Sequence, residues 1–378
     1  MKITEIKTYI SWGNPRNSVF VKIMTDEGIH GWGEATVENK ELTVQAAINE
    51  LGRWLIGEDP TRVEHHWQRL YRHGFWRGGI ILNSAISGLD HALWDITGKA
   101  AGLPLYKLWG GPTRDYIRLY THVGIYDPVR MVDDAQAHIA QGFTAMKTGA
   151  WPQGATLSDR EMTKAFAERV EALRIAVGPN IDIMFDNHGR SRPATAVRLM
   201  RALEPFDLYF FEEPTPPDNL DALAKVVEAG FDMDLAAGER LFSKWEFRDM
   251  ISRQLVDIIQ PDLCHAGGLT EARKIAALAE TYYIQLAPHN PQGPISMAAC
   301  AHLAASIPNF QILEYVHSQP WRDEVQVEPL VVKDGKLQLP TGPGLGVELD
   351  EDYLARHPFS QRPASSPYFT PDGAVADV

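Results

Sequence analysis

Residues 181–186, IDIMFD, form a short apolar run that ends on the carboxylate of Asp186. The same pattern returns in residues 208–212, LYFFE, and in residues 235–239, LAAGE. Polar residues keep ending such runs at intervals of 23 to 27 residues, in the series Asp186, Glu212, Glu239, Asp262, His289 and Glu314. One strand, one helix and two loops need this interval, so the pattern predicts β/α units whose polar residues gather on one rim of a barrel.

Eight apolar runs separated by amphipathic segments predict a closed parallel barrel rather than an open sheet. The runs are residues 117–123, 143–148, 181–185, 208–211, 235–238, 256–260, 284–287 and 311–313. Residues 1–113 differ, because an antiparallel start followed by helical spacing predicts an α+β cap. Beyond Tyr315 the pattern breaks, and residues 330–339 are typical of a hairpin around Lys333-Asp334-Gly335. We therefore predict a cap at 1–113, a barrel at 114–324 and a C-terminal segment at 325–378.

Composition excludes several classes of function. The chain has 378 residues, 44% of them hydrophobic, which is enough for a large core. Its net charge of −13 disfavours nucleic acid and anionic membranes as partners. No apolar stretch approaches the ~18 residues of a membrane span, and the start MKITEIKTYI lacks a signal-peptide core, so we expect a cytoplasmic protein. Cys264 and Cys300 have no partner at metal-ligand spacing and are expected to be buried thiols.

Three carboxylates end successive predicted strands at Asp186, Glu212 and Glu239. Two unit charges ~4 Å apart repel by ~4 kcal/mol at an effective dielectric of ~20, so such a cluster must take up protons or bind a cation. Oxygen ligands favour Mg²⁺. Each residue alone has an ordinary alternative role, as a helix N-cap, a partner of Arg240 or a solvated rim charge. Their position on adjacent strands favours the metal site.

Histidines occupy two positions on the same rim. His289 ends strand seven beside Asp262 of strand six, so the carboxylate can fix the tautomer of the ring and make it a base. His188 follows Asp186 by two residues. Lys147 ends strand two and supplies the positive charge that an anionic substrate needs, although a salt bridge to Asp186 is also compatible with its position.

These residues carry a resemblance to the enolase superfamily, mandelate racemase subgroup, and within it to the D-galactonate dehydratase family. The matching motifs are Gly31-Trp32-Gly33-Glu34, Lys147, Asp186-x-His188, Phe210 to Pro214, Ala237 to Arg240, Gln260-Pro261-Asp262, His265 to Gly268, Ala287-Pro288-His289, Glu314 and Pro343 to Val347. The resemblance implies an α/β fold, a modified TIM (β/α)7β barrel with an α+β capping domain formed by the N-terminal region and the C-terminal segment. It also implies a homo-oligomer, an octamer or a dimer.

For function, the resemblance implies a Mg²⁺-dependent sugar acid dehydratase with one ion per site on Asp186, Glu212 and Glu239. His289, assisted by Asp262, would remove the proton next to the substrate carboxylate. His188 would protonate the departing 3-hydroxyl, and Lys147 and Glu314 would meet the carboxylate, to give a 2-keto-3-deoxy acid. The residues expected to contact this small-molecule substrate are Arg16, Lys147, Trp151, His188, Arg190, Glu239, His289 and Glu314.

One position departs from the subgroup. Many members place a second base two residues after the strand-two lysine, where this chain has Gly149. A glycine cannot move a proton, which disfavours racemisation, and we expect it to leave room beside Ala150 and Trp151. We further expect the loop 12–16, with Trp76 and Arg77, to cover the site.

Several alternatives stay open. Within the enzyme class, the substrate could be gluconate, arabinonate or galactarate, and epimerisation ranks below dehydration. A sugar-binding protein is the non-enzyme alternative. A nicotinamide dehydrogenase is weaker, because the glycines of residues 342–346 do not follow a βαβ start. A metal hydrolase with two histidines on strand one is disfavoured, since that strand offers His122 alone.

Overall fold

The computed structural model describes residues 1–72, 74–124, 128–149, 158–317, 319–362, 369–370 and 372–375. The first unit is an antiparallel sheet of three strands, β1 (Ile3–Trp12), β2 (Asn17–Thr25) and β3 (His30–Glu34), in that order. Helices then cover the sheet: α1 (Glu41–Gly52), α2 (Val63–Arg72), α3 (Gly79–Ala101) and the short α4 (Leu105–Leu108). The predicted α+β cap is therefore present at the start of the chain.

Two glycines of β3 let the strand lie directly against α3. A Cβ atom on Gly31 would lie 2.1 Å from the carbonyl oxygen of Ala92, and one on Gly33 would lie 1.8 Å from that of Gly88. Backbone atoms cannot give way at these distances, so side chains are excluded at both positions. The alternation in Gly31-Trp32-Gly33-Glu34 thus presses the strand onto the helix, and Trp32 and Glu34 are fully buried.

Eight parallel strands form the second unit. They are β4 (Tyr116–His122), β5 (Ala145–Gly149), β6 (Asp182–Asp186), β7 (Phe210–Glu212), β8 (Asp234–Ala237), β9 (Ile258–Ile259), β10 (Gln285–Leu286) and β11 (Leu313–Glu314). Each strand pairs with the next from β4 to β10. β11 pairs with β4, and Phe310 bridges to Leu286, so the ring is closed. The predicted barrel is confirmed.

Seven helices alternate with these strands in the described part of the chain. They are α5 (Met131–Ala140), α6 (Asp159–Val177), α7 (Pro193–Leu203), α8 (Leu220–Val227), α9 (Lys244–Ser252), α10 (Gly268–Glu280) and α11 (Pro294–Ser306). Local sequence signals start several of them: Ser158 and Glu161 form a capping box before α6, and Pro193 opens α7. The order is that of a (β/α)7β barrel.

The barrel interior is filled by side chains. One buried cluster takes a residue from each of the eight strands or its immediate end: Tyr120, Ala145, Met184, Phe210, Ala236, Ile258, Ala287 and Ile312. Large and small side chains together fill the ring, as in a packed core rather than a pore. The polar side chains beyond this layer, toward the carboxyl ends of the strands, therefore lie above a packed layer of buried side chains.

The C-terminal segment contacts both other parts. It follows the short helix α12 (Trp321–Glu324) and contains β12 (Val332–Lys333), β13 (Lys336–Gln338) and α13 (Glu351–Arg356). The predicted hairpin is present, and β13 pairs antiparallel with the start of β4. The carbonyl of His357 accepts a hydrogen bond from the backbone of Trp12 in the cap. The boundaries at 113/114 and 324/325 stay predictions. In the described residues, none of the helices has the length and apolar character to traverse a bilayer.

Candidate active site

Three carboxylates meet at the carboxyl ends of β6, β7 and β8. The register pairs Gly149 with Asp186 and Asp186 with Glu212, and Glu239 follows β8 by two residues. Asp186 and Glu212 are at most 2% exposed. Burial and repulsion by Asp186 raise the pKa of Glu212 well above its usual range, while burial and the neighbouring Glu213 do the same to Glu239. The acidic cluster is thus built as expected and needs positive charge.

Lys147 supplies positive charge inside this cluster. Its Nζ atom lies 2.8 Å from Oε1 of Glu314, 3.0 Å from Oε1 of Glu212 and 3.6 Å from Oδ2 of Asp186. Burial opposes the charged form of Lys147, but Glu212 and Glu314 outweigh it and raise its pKa well above its usual range. The salt bridge considered for Lys147 is therefore present, and its contact with an anionic substrate stays a prediction.

The donor set fits a hard divalent cation. Within the described residues, no three histidine, cysteine or carboxylate side chains already stand at metal-ligand geometry. However, Asp186, Glu212 and Glu239 offer only oxygen donors, and Oε2 of Glu239 is buried with no hydrogen-bond partner. A buried carboxylate oxygen without a partner costs free energy that a cation would recover. These three residues remain the predicted ligands.

His289 and Asp262 form the expected pair. Nδ1 of His289 lies 2.8 Å from Oδ2 of Asp262, and its Nε2 lies 3.8 Å from Oε2 of Glu239. Burial works to lower the pKa of His289, but Glu314 and the hydrogen bond to Asp262 outweigh it and raise the pKa to about 9. The hydrogen bond to Asp262 orients Nε2 of the imidazole toward the carboxylate cluster, which is the arrangement a general base requires.

His188 lies on the other side of the cluster. Its Nε2 atom is 3.0 Å from Oδ2 of Asp186, and its backbone nitrogen donates to Oδ1 of the same carboxylate at 2.8 Å. Burial lowers the pKa of His188 to about 4, and the positive charge of His289 contributes to the same lowering. His188 and His289 thus each contact the carboxylate cluster, through Asp186 and near Glu239 respectively.

Glu314 connects several of these groups. Its Oε1 atom lies 2.6 Å from Nε2 of His122, and its Oε2 accepts the backbone N–H of Asn290 at 2.7 Å. Burial alone would raise the pKa of Glu314, but Lys147 and His289 lower it well below its usual range. Sequence analysis did not assign His122 to the site. Its position at the end of β4 is the same signal that identified the other rim residues.

The contacts expected between the substrate and Arg16, Arg190 and Trp151 stay predictions. Arg16 forms an ion pair with Glu38 in the cap, and Arg190 is half-buried after β6. Trp76 is 83% exposed and Arg77 lies over the ring of Tyr71 at 5.5 Å, and the expectation that they cover the site stays a prediction. Trp151 and Ala150 lie outside the described residues.

Gly149 lies where β5 and β6 approach each other closely. A Cβ atom built on it would lie 2.5 Å from the carbonyl oxygen of Asp186 and 3.2 Å from Cβ of Asp186. A side chain at residue 149 would therefore meet Asp186, while the room expected beside Ala150 and Trp151 concerns positions outside the described residues.

Comparisons with known proteins cover both units. The model described as "Enolase C-terminal domain-like" matches residues 130–353, and that described as "Mandelate racemase / muconate lactonizing enzyme, N-terminal domain" matches residues 7–110. The D-galactonate dehydratase of Ralstonia nicotianae is 40% identical over 385 residues, which cover 100% of both chains. The likeness therefore extends from the cap through the barrel.

Two solved structures are also similar to this chain over nearly its whole length. An enolase from Agrobacterium radiobacter with bound sodium and L-malate has a TM-score of 0.92 and 34% identity, over 100% of both chains. An enolase from Pantoea ananatis with bound D-gluconate and magnesium has a TM-score of 0.90 and 32% identity, over 99% of both chains. The whole architecture is shared with these proteins.

Proposed function

Because the chain belongs to the mandelate racemase/muconate lactonizing enzyme family of the enolase superfamily, we propose that it dehydrates a sugar acid with the help of Mg²⁺. D-Galactonate is the leading substrate, since it is named for relatives that are 40% identical over the full length. The observation that carries the proposal is the His289–Asp262 pair, whose free ring nitrogen faces the carboxylate cluster.

Asp186, Glu212 and Glu239 would hold one Mg²⁺. When bound, the ion would act as a Lewis acid that makes the hydrogen next to the substrate carboxylate more acidic. Its positive charge beside Glu239 would also lower the pKa of His289 from about 9 toward neutrality, as a base requires. The ammonium of Lys147 would donate hydrogen bonds to the substrate carboxylate as negative charge grows there.

Nε2 of His289 takes the proton from carbon 2, and the electron pair of that bond forms the carbon–carbon double bond as the bond from carbon 3 to its hydroxyl breaks. His188 supplies the proton that turns the departing hydroxide into water. The remaining enol tautomerises to a 2-keto-3-deoxy acid. This role requires that the bound anion raise the pKa of His188 above its free value of about 4.

Dehydration is favoured over epimerisation because the strand-two position that would carry a second base is Gly149. Gluconate, arabinonate and galactarate are the other substrates to test, the first because a similar structure holds D-gluconate with magnesium. We also propose a homo-oligomer, either a dimer or an octamer, which light scattering on the purified protein would distinguish.

The decisive experiment is a screen of acid sugars for 2-keto-3-deoxy products with semicarbazide, using the wild type and His289→Asn. We expect the wild type to release product from an aldonate, and the variant to lose both dehydration and exchange of the carbon-2 proton in heavy water. A protein that binds an acid sugar but exchanges no carbon-bound proton would instead be a sugar-binding protein. Retained exchange in His289→Asn would reject this residue as the base.

A further inference from the structure

The loop that carries His289 connects β10 to α11 as residues 287–293. Each of its last five residues, 289–293, makes a contact that holds the loop in place. The contacts are His289 to Asp262, Asn290 N to Glu314, the carbonyl of Pro291 to Arg322, the Gln292 amide to Asp262 at 3.2 Å, and Gly293 N to Glu34 at 2.7 Å. The last partner belongs to the cap rather than to the barrel, so the geometry of the base depends on both units.

Glu34 acts as a helix cap supplied from another unit of the fold. It ends β3, is fully buried, and accepts the backbone N–H of Gly293 at 2.7 Å and of Ser296 at 3.0 Å. Thr36 donates its hydroxyl to the same carboxylate at 3.0 Å. The first turn of a helix leaves N–H groups unpaired and carries partial positive charge, which a carboxylate satisfies. Both oxygens of Glu34 are therefore committed to α11 and its neighbourhood.

Gly293 is shaped for this contact. A Cβ atom on it would lie 2.8 Å from Oε1 and 2.9 Å from Oε2 of Glu34. Because the carboxylate is fully buried, it has little space to retreat. Residue 293 lies four residues after His289. Any side chain there would push the Glu34 carboxylate away from the first turn of α11.

We propose that Glu34 is a positioning residue for His289: by holding the start of α11, it fixes the loop that presents the imidazole to the substrate. The inference rests on the proposed function for its catalytic consequence, but its structural consequence can be measured separately. Misplacement of a reacting group by ~1 Å can cost a rate factor of ~100, so a small shift of this loop is enough to be seen.

The competing explanation is that Glu34 only fastens the cap to the rest of the protein. Asp95 provides the matched control, because it is an equally buried cap carboxylate with similar contacts. It accepts the backbone N–H of Trp32 at 2.9 Å and of Leu345 at 2.8 Å, and pairs with Lys99. None of these contacts involves residues 289–293, so loss of Asp95 should weaken cap docking without moving the base.

The test compares Glu34→Gln with Asp95→Asn in the full-length protein loaded with Mg²⁺. The Gln side chain would place an N–H donor opposite a backbone N–H donor, so one hydrogen bond to the start of α11 is lost. We therefore expect kcat to fall at least about tenfold, with KM changed less than about twofold. Asp95→Asn should lower the melting temperature by a similar amount and keep its kcat. An unchanged kcat in Glu34→Gln, or an equal loss in Asp95→Asn, would overturn the proposal.

Two additions keep the test decisive. If Glu34→Gln does not fold, Gly293→Ala breaks the same contact from the barrel side and should show the same loss of kcat. If the wild type proves inactive on every sugar acid, crystal structures of the variants still decide. The distance from Nδ1 of His289 to Oδ2 of Asp262, 2.8 Å here, should lengthen in Glu34→Gln or Gly293→Ala and not in Asp95→Asn. An unchanged distance in all variants would reject the positioning role.

Discussion

His289 and Asp262 meet at the ends of neighbouring strands, with 2.8 Å between Nδ1 and Oδ2. The other oxygen of Asp262 accepts the backbone N–H of Cys264 at 2.7 Å, so the carboxylate is held from both sides. When the imidazole is neutral, the carboxylate therefore imposes one tautomer, with the proton on Nδ1 and the lone pair on Nε2.

Asp262→Asn should remove this control while keeping the shape of the side chain. If the amide oxygen of the new side chain still accepts the backbone N–H of Cys264, its NH2 group faces Nδ1 of His289. This favours the opposite tautomer of His289, in which Nε2 carries the proton and has no lone pair. We expect exchange of the carbon-2 proton to fall by ~10²–10⁴-fold. Deuterium incorporation followed by NMR measures this. A rate within twofold of the wild type would show that Asp262 does not set the basicity of His289.

Removal of the metal should abolish activity and lower stability. Asp186, Glu212 and Glu239 bring three negative charges together, which Lys147 compensates only in part. We expect EDTA to inactivate the protein, and added Mg²⁺ to restore activity and raise the melting temperature, because an ion that binds only the folded state stabilises it. The thermal shift does not depend on the identity of the substrate.

Glu239→Gln is the matched variant for the metal prediction. It keeps the size of the side chain and removes one ligand charge, so the Mg²⁺-induced thermal shift should become smaller. Glu328→Gln, on an exposed carboxylate of the C-terminal segment, should leave the shift unchanged. Activity that is indifferent to chelation would contradict the assignment of a metal site.

The periodic part of this protein could be predicted from its sequence because each β/α unit repeats a local rule. Apolar runs became strands, and Asp186, Glu212 and His289 follow them at one rim because parallel strands share an end. Contacts between the cap and the barrel follow no such rule. Glu34 and Gly293 are 259 residues apart and meet only after the two units dock.

The surroundings of Gly149 and Trp76 likewise lie beyond what a local rule specifies. Gly149 indicates a missing side chain, but only the spacing of β5 and β6 shows that Asp186 already fills the place. That Trp76 covers the site stays a prediction. Its position depends on the path of the loop before α3, which a local sequence pattern does not specify.

The contact between the C-terminal segment and the cap should make stability depend on pH. Nε2 of His30 lies 2.8 Å from Oε2 of Glu348, Trp32 donates its indole N–H to the same oxygen at 2.9 Å, and Lys99 pairs with Oε1. Burial works to raise the pKa of Glu348, but His30 and Lys99 outweigh it and lower the pKa to about 2. The folded state thus favours the ionised carboxylate.

Since the folded pKa lies below the unfolded value of about 4.5, this stabilisation is complete above pH ~4.5 and is lost as the pH falls toward ~2. Glu348→Gln should remove that part of the pH dependence. Urea unfolding between pH 6 and pH 3 measures it, with Glu328→Gln as the exposed control. If the wild type and Glu348→Gln lose stability in parallel over this range, Glu348 is not responsible.

Gly149→Ala tests whether the close approach of β5 and β6 holds the metal site. The new Cβ would lie 2.5 Å from the carbonyl oxygen of Asp186, and backbone atoms of two paired strands cannot separate without moving the Asp186 carboxylate. Displacement of a ligand in this way should weaken Mg²⁺ binding by ~10–100-fold, as loss of supporting contacts around a metal does. Calorimetric titration with Mg²⁺ measures the affinity.

Thr148→Ala is the control, because its side chain points to the opposite face of the same strand and should leave Mg²⁺ affinity unchanged. Equal affinity in Gly149→Ala and the wild type would mean that Asp186 is not a ligand, or that β5 yields more easily than its pairing with β6 suggests. A crystal structure of the variant separates these two outcomes, since only the second moves β5.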